Sequence, residues 1–218
     1  MRPFLLFLLI PALCFGGACA PRPAPFLDAP AVLASVPAPA PVSALSPTLR
    51  KVLANADAQT RTTRTYDPAY VSLSYPNGDV PQERGVCADV IVRAFRAGGI
   101  DLQKTVHEDM TAHFAHYPKL WGLRRPDPNI DHRRVANLMT YFARRHQSVP
   151  ASTDPSGYRP GDVVAWELPG GRLHTGMVSD RPVSGTNRYS MIHNVGAGTR
   201  LEDVLFGWKI LGHYRCFR

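Results

Sequence analysis

The sequence predicts an α+β domain in which N-terminal helices pack on an antiparallel sheet. Two observations carry this. Between residues 46 and 147 the apolar residues recur at helical spacing, and after Pro150 they fall in short runs punctuated by Gly, Pro, Asn and Asp. A length of 218 residues with 44% hydrophobic content suits one globular domain plus extensions.

The extensions come first. Residues 1–20 read as an export signal, with Arg2 before the apolar run Phe4 to Ile10 and Ala18-Cys19-Ala20 as a small-residue cleavage pattern. "GGAC" around Cys19 also raises processing to a lipid-anchored form. The apolar run is too short for a membrane-spanning helix, so none is expected in the mature chain. Residues 21–47 contain eight of the 21 prolines and no Gly, the composition of an extended, semi-stiff tether. The folded domain is then expected over residues 48–218.

Within it, Ser46-Pro47 is a helix start, and Leu49, Val52, Leu53 and Ala56 carry helical spacing to about Arg61. The Tyr-, Pro- and Gly-rich stretch to Gly85 reads as short extended pieces and turns. In "GVCADVIVRAFRAGG", Cys87, Val90, Ile91, Ala94 and Phe95 form an amphipathic face, and Gly98-Gly99 ends the helix. Pro81 and Gly85 keep this helix from extending backwards, which puts Cys87 in its first turn. Residues 101–118 and 131–147 read as two more helices, the second capped by Asp131, with a Pro-rich basic loop between them. Strands are expected at Val163 to Leu168, His174 to Asp180, Tyr189 to Val195 and about Trp208 to Tyr214.

A cysteine in the first turn of a helix meets unpaired backbone N–H groups and the positive end of the helix dipole, both of which favour the nucleophilic thiolate. It still needs a base from a distant segment. His174 opens one strand and His193 lies in the next, so antiparallel pairing could bring both imidazoles to one side.

"GVCADVIVRAF", "YRPGDVVAWELPGGRLHTGMVSD" and "MIHNVG" together resemble the NlpC/P60 group of papain-like cysteine peptidases. "YPNGDVPQERGVCADVIVRAFR", "DLQKTVHEDM", "NIDHRRVANL", "HNVGAGTRLED" and "GHYR" are more closely similar to the DUF1287 family, over residues 66 to 215. The resemblance implies a papain-like (NlpC/P60-like) fold with a helical insertion between Cys87 and His174. It implies Cys87 as nucleophile, His174 as general base and His193 as the residue that orients it, with Asn194 competing for that third role. The backbone N–H of Cys87 and the Tyr75 hydroxyl would stabilise an oxyanion. Asp89, Trp121, His132 and Arg133 are the candidates for substrate binding. The implied activity is an exported thiol hydrolase that cuts amide bonds in peptidoglycan peptides through an acyl-enzyme, with no cofactor. A non-catalytic wall-binding module and an acyltransferase are the alternatives.

Competing readings attach to several of these residues. Cys87 could be a buried apolar cysteine, or could pair with Cys216 in an oxidising compartment. His107, His113 and His116, with Glu108 and Asp109, have spacings able to hold a metal, but no H-E-x-x-H pattern is present and no metal site is expected. The net charge is +8, or +7 once Arg2 leaves with the signal. That favours an anionic cell-envelope substrate, while no basic run or recognition motif argues for nucleic acid. Oligomeric state is not legible.

Overall fold

The computed structural model describes residues 45–217. The expected signal, Cys19 and most of the tether lie outside the described residues.

Helix α1 spans Pro47–Thr62, its N-terminus capped by Ser46, whose Oγ accepts the Leu49 N–H at 3.2 Å. Two-residue strands β1, Thr65–Tyr66, and β2, Arg84–Gly85, pair in parallel and tie the end of α1 to the segment that leads into α2, Cys87–Ala97. Arg93 on α2 is buried and secures the intervening loop. Its guanidinium meets the Asp79 carboxylate at 2.9 Å and donates to Thr63 Oγ1 and to the carbonyls of Val80, Pro81 and Arg84. Helices α3, Leu102–Ala112, and α4, Val135–Arg144, follow, separated by short 3-10 turns.

Five strands complete the domain: β3, Val163–Leu168; β4, Arg172–Pro182; β5, Tyr189–Asn194; β6, Thr199–Glu202; and β7, Lys209–Tyr214. They form one antiparallel sheet in the order β6-β5-β4-β3-β7. The α+β class follows directly, with the helices gathered on one face.

Alternation along the strands divides the core in two. Val163, Ala165, Met177 and Ile192 pack with Val90, Ile91, Ala94 and Phe95 of α2 and with Leu49, Val52 and Leu53 of α1. Val164, Trp166, Val178 and Met191 turn to the opposite face and pack with Tyr158, Tyr189 and Leu205. There the Trp166 indole N–H donates to the Leu205 carbonyl at 3.0 Å, which satisfies the one polar atom of a fully buried ring.

Two local expectations are corrected. Asp131 does not cap α4: Arg134 holds that position, and Asp131 opens the preceding 3-10 turn. Its buried carboxylate instead accepts the Asp127 N–H at 2.7 Å and meets His107 Nδ1 at 3.0 Å. Strand β6 was not anticipated, because its four residues carry two exposed side chains and no apolar run.

Candidate functional site

Cys87 is the first residue of α2. The turn is held by Asp89, whose Oδ2 accepts the Val86 N–H at 2.6 Å while the Asp89 N–H returns to the Val86 carbonyl at 3.1 Å. Gly85 leaves room for this cap, since a Cβ at that position would lie 2.9 Å from Asp89 Oδ2 and push on it. The thiol is buried, and both it and the half-buried Cys216 are free, so no disulfide joins them. Burial pushes its pKa up to about 11, and the Asp89 charge adds to this. The N–H groups of Thr175, Ala88 and Cys87 itself pull the other way.

The two histidines expected to act together do meet. His174 Nε2 lies 3.0 Å from His193 Nδ1, with the rings edge to face. The chain continues to a residue not singled out from sequence: His193 Nε2 is 3.0 Å from Glu202 Oε2. The carboxylate can only accept, so His193 carries its proton on Nε2 and presents the Nδ1 lone pair to the His174 Nε2–H. Nδ1 of His174 is thereby left as the basic nitrogen. It has no hydrogen-bond partner among the described residues and is not one of the fully sealed polar atoms. Trp166 stacks on the His174 ring at 5.7 Å, and Trp208 sets its edge against both imidazoles. Burial draws the His174 pKa down to about 3, helped by His193, so the ring is neutral near pH 7. His193 is also lowered by burial, against the opposing pull of Glu202.

Thiol and imidazole approach the sheet from its two sides. Cys87 belongs to the core on the helix side, whereas His174 lies on the Trp166 side. They come close at a gap. The Val178 N–H donates to Asp162 beside β3, so by alternation the Thr175 N–H points toward β5. Pairing of β4 with β5 stops at Gly176 and His193, one residue short of Thr175. The Thr175 N–H is one of the backbone groups that lower the Cys87 pKa, so the thiol lies within electrostatic reach of it. It therefore sits at the peptide joining His174 to Thr175, although no hydrogen bond connects Sγ with the imidazole.

Residues 53–216 match the family described as Domain of unknown function (DUF1287). The chain belongs to the DUF1287 family. It is also 52% identical over 182 residues to the Uncharacterized protein YijF of Escherichia coli (strain K12), covering 80% of this chain and 88% of that protein.

The remaining candidates of this DUF1287 domain are dispersed. Asn194 stands on the helix side and gives its amide to the Gly85 carbonyl at 2.9 Å, leaving Oδ1 buried without a partner. Tyr75 makes its contacts with α3, its ring edge on His107 at 5.4 Å, because the Asn77 and Gly78 N–H groups are tied to Asp101 and Gln103. The tyrosine within electrostatic reach of Cys87 is Tyr66, whose pKa is raised by burial and by the charges of Cys87 and Asp89.

Arg133 and Asp89 are not free to hold substrate. They form a buried bidentate pair, two bonds of 2.9 Å, and the rest of the guanidinium donates to the carbonyls of Ala69 and Asp67. His132 is likewise sealed, with Nδ1 unpartnered and a pKa drawn down to about 4 by burial. Trp121 is exposed. His107 is paired with Asp131 and His113 with Asp109, and among the described residues no three His, Cys, Asp or Glu converge as a metal site.

Sequence reasoning missed Glu202, Tyr66, Trp166 and Trp208. For Glu202 the only signal is position: "TRLE" follows the Gly-rich turn after the strand carrying His193, where a returning edge strand would run.

Proposed function

We propose that this domain is an exported thiol hydrolase that cleaves amide bonds in cell-wall peptide. The observation that supports it is the gap between β4 and β5, where a helix-start thiol lies beside a histidine whose free nitrogen is fixed as the acceptor. The fold reading that accompanies it is papain-like, with α3, α4 and their loops as the helical insertion. Export, the tether and the basic surface support a wall substrate.

Attack starts from the neutral thiol, because the pKa of Cys87 lies near 11 and that of His174 near 3. As Sγ bonds to the carbonyl carbon, its proton passes to His174 Nδ1. The imidazolium is stabilised through His193 by the Glu202 carboxylate. Backbone N–H groups at the start of α2 face the developing oxyanion. The C–N bond then breaks and the amine leaves with the proton from His174; water, deprotonated by the same nitrogen, adds to the acyl carbon, the C–S bond breaks to release the acid, and His174 returns the proton to Sγ. No hydrogen bond joins Sγ to the ring, so the proton transfer requires the two side chains to come within reach of one another when substrate binds.

Purified peptidoglycan incubated with the wild type and with Cys87→Ala, followed by mass spectrometry of the fragments, tests this. Digestion by the wild type alone is expected, and equal digestion by both proteins would sink the thiol mechanism.

A second reading is a wall-binding module with an inert cysteine, favoured by the burial of the thiol and the missing Sγ–imidazole bond. Iodoacetamide distinguishes the two. A working site labels faster in wild type than in His174→Gln at pH 8, while an inert thiol labels equally slowly in both.

A further inference from the structure

The loop between the 3-10 turn ending at His116 and the one starting at Asp131 presents an unusual surface. Its roots are fixed: Tyr117 is buried, and Leu123 packs against the core. Between them Leu120 and Trp121 are turned outward, 44% and 60% exposed. Trp121 holds φ 58° and ψ 28°, a left-handed conformation that a bulky residue rarely adopts, and Gly122 follows at φ 68°. The strained backbone thus points an indole and an isobutyl group at solvent side by side.

Cations surround them. Lys119, Arg124 and Arg125 are exposed, and the Arg134 guanidinium lies 4.5 Å from the Trp121 ring centre. None of Arg124, Arg125 and Arg134 forms an ion pair with a carboxylate among the described residues. An apolar tip ringed by unmatched cations complements one environment, a layer in which phosphate lies just outside hydrocarbon.

We propose that the 119–125 loop is an interfacial anchor that inserts Leu120 and Trp121 into the surface of an anionic phospholipid bilayer while Arg124, Arg125 and Arg134 take headgroup phosphates. No helix among the described residues is long and apolar enough to cross a membrane, so the contact is peripheral. A soluble polyanion would satisfy the arginines but would leave Leu120 and Trp121 without an apolar medium.

The full chain has three tryptophans: Trp166 is fully buried, Trp208 half-buried, and Trp121 exposed, with none in residues 1–44. Indole fluorescence therefore reads this loop whatever the N-terminal segment does. Titration with phosphatidylglycerol-containing vesicles that carry brominated acyl chains is expected to quench and blue-shift the emission. The change should be absent in Trp121→Phe. The Arg124→Gln, Arg125→Gln pair should weaken the fluorescence-detected binding by about thirtyfold at low salt. No quenching with these vesicles, or equal quenching with pure phosphatidylcholine, would overturn the proposal. So would binding to soluble polyglutamate as tight as to vesicles without a spectral shift, which would reassign the patch to a polyanion.

Discussion

Replacing Arg133 by Met should cost this domain about 3–5 kcal/mol, a large share of the roughly 5–15 kcal/mol typical of a domain. The side chains of Arg133 and Asp89 are 2% and 4% exposed, and their bidentate bonds are both 2.9 Å. Met fills the aliphatic volume but leaves the Asp89 carboxylate buried with the Val86 N–H as its remaining strong donor. It also frees the carbonyls of Ala69 and Asp67. Adding Asp89→Asn removes the stranded charge and keeps an oxygen for the Val86 N–H, so the double variant should regain about 2 kcal/mol or more. Urea unfolding followed by tryptophan fluorescence at pH 7.5 measures both. A loss under about 1 kcal/mol for Arg133→Met, or a double variant less stable than the single one, would refute a buried pair that holds the start of α2. Asp89→Asn alone should also raise the rate of Cys87 alkylation at pH 8, because the carboxylate is one of the groups that push the thiol pKa up.

Stability should fall on acidification below pH 6.5. His174 and His132 have folded pKa values of about 3 and 4, below the unfolded 6.5, so the unfolded chain takes up protons that the folded one refuses. Above pH 6.5 both rings are neutral in either state and their contribution is whole. Each then removes up to ~1.4 kcal/mol per pH unit until its folded pKa is reached. Urea midpoints from pH 7 to 4.5 should drop less steeply in His132→Gln, and an unchanged slope would contradict the burial assigned to that ring. Gly176→Ala places a Cβ 2.9 Å from both His193 Cβ and the Ile192 carbonyl. It should cost about 1–3 kcal/mol and lower the melting temperature by roughly 3–10 °C; an unaltered melting curve would mean that β4 and β5 lie farther apart. Under the proposed chemistry, Glu202→Gln should lower kcat by roughly tenfold or more with little change in KM, since His193 loses the group that selects its tautomer. Equal kcat would remove Glu202 from the proton chain.

Most of the secondary structure was legible because each element carries its own signal. Ser46-Pro47 caps and starts α1, the apolar stripe of α2 begins at Cys87, and β3 has the bounds its apolar run implies. What was not legible depends on partners distant in sequence. Arg133 reads as a free cation until the fold puts it against Asp89, 44 positions away. Tyr75 stands at a suggestive distance before Cys87, yet β1 carries Tyr66 into that region while Asp101 and Gln103 hold the Tyr75 segment on α3. Glu202 was hidden because a four-residue edge strand with two exposed side chains carries almost no hydrophobic pattern.

The gap that brings Cys87 to His174 has a cause in the turn between β5 and β6. Gly198, at φ 91°, packs so closely on the end of α1 that a Cβ there would lie 2.5 Å from the Thr63 carbonyl, and the Thr199 N–H donates to that same oxygen at 2.9 Å. Asn194 is drawn the same way by the bond from its amide to the Gly85 carbonyl. Both ties hold the end of β5 to the helix layer and away from β4, which leaves the Thr175 N–H without a strand carbonyl. The Cys87 thiol at the start of α2 lies within electrostatic reach of that N–H. The opening between β4 and β5 next to His174 therefore depends on Gly198 and Asn194, residues outside the proton chain, as well as on the strands that border it.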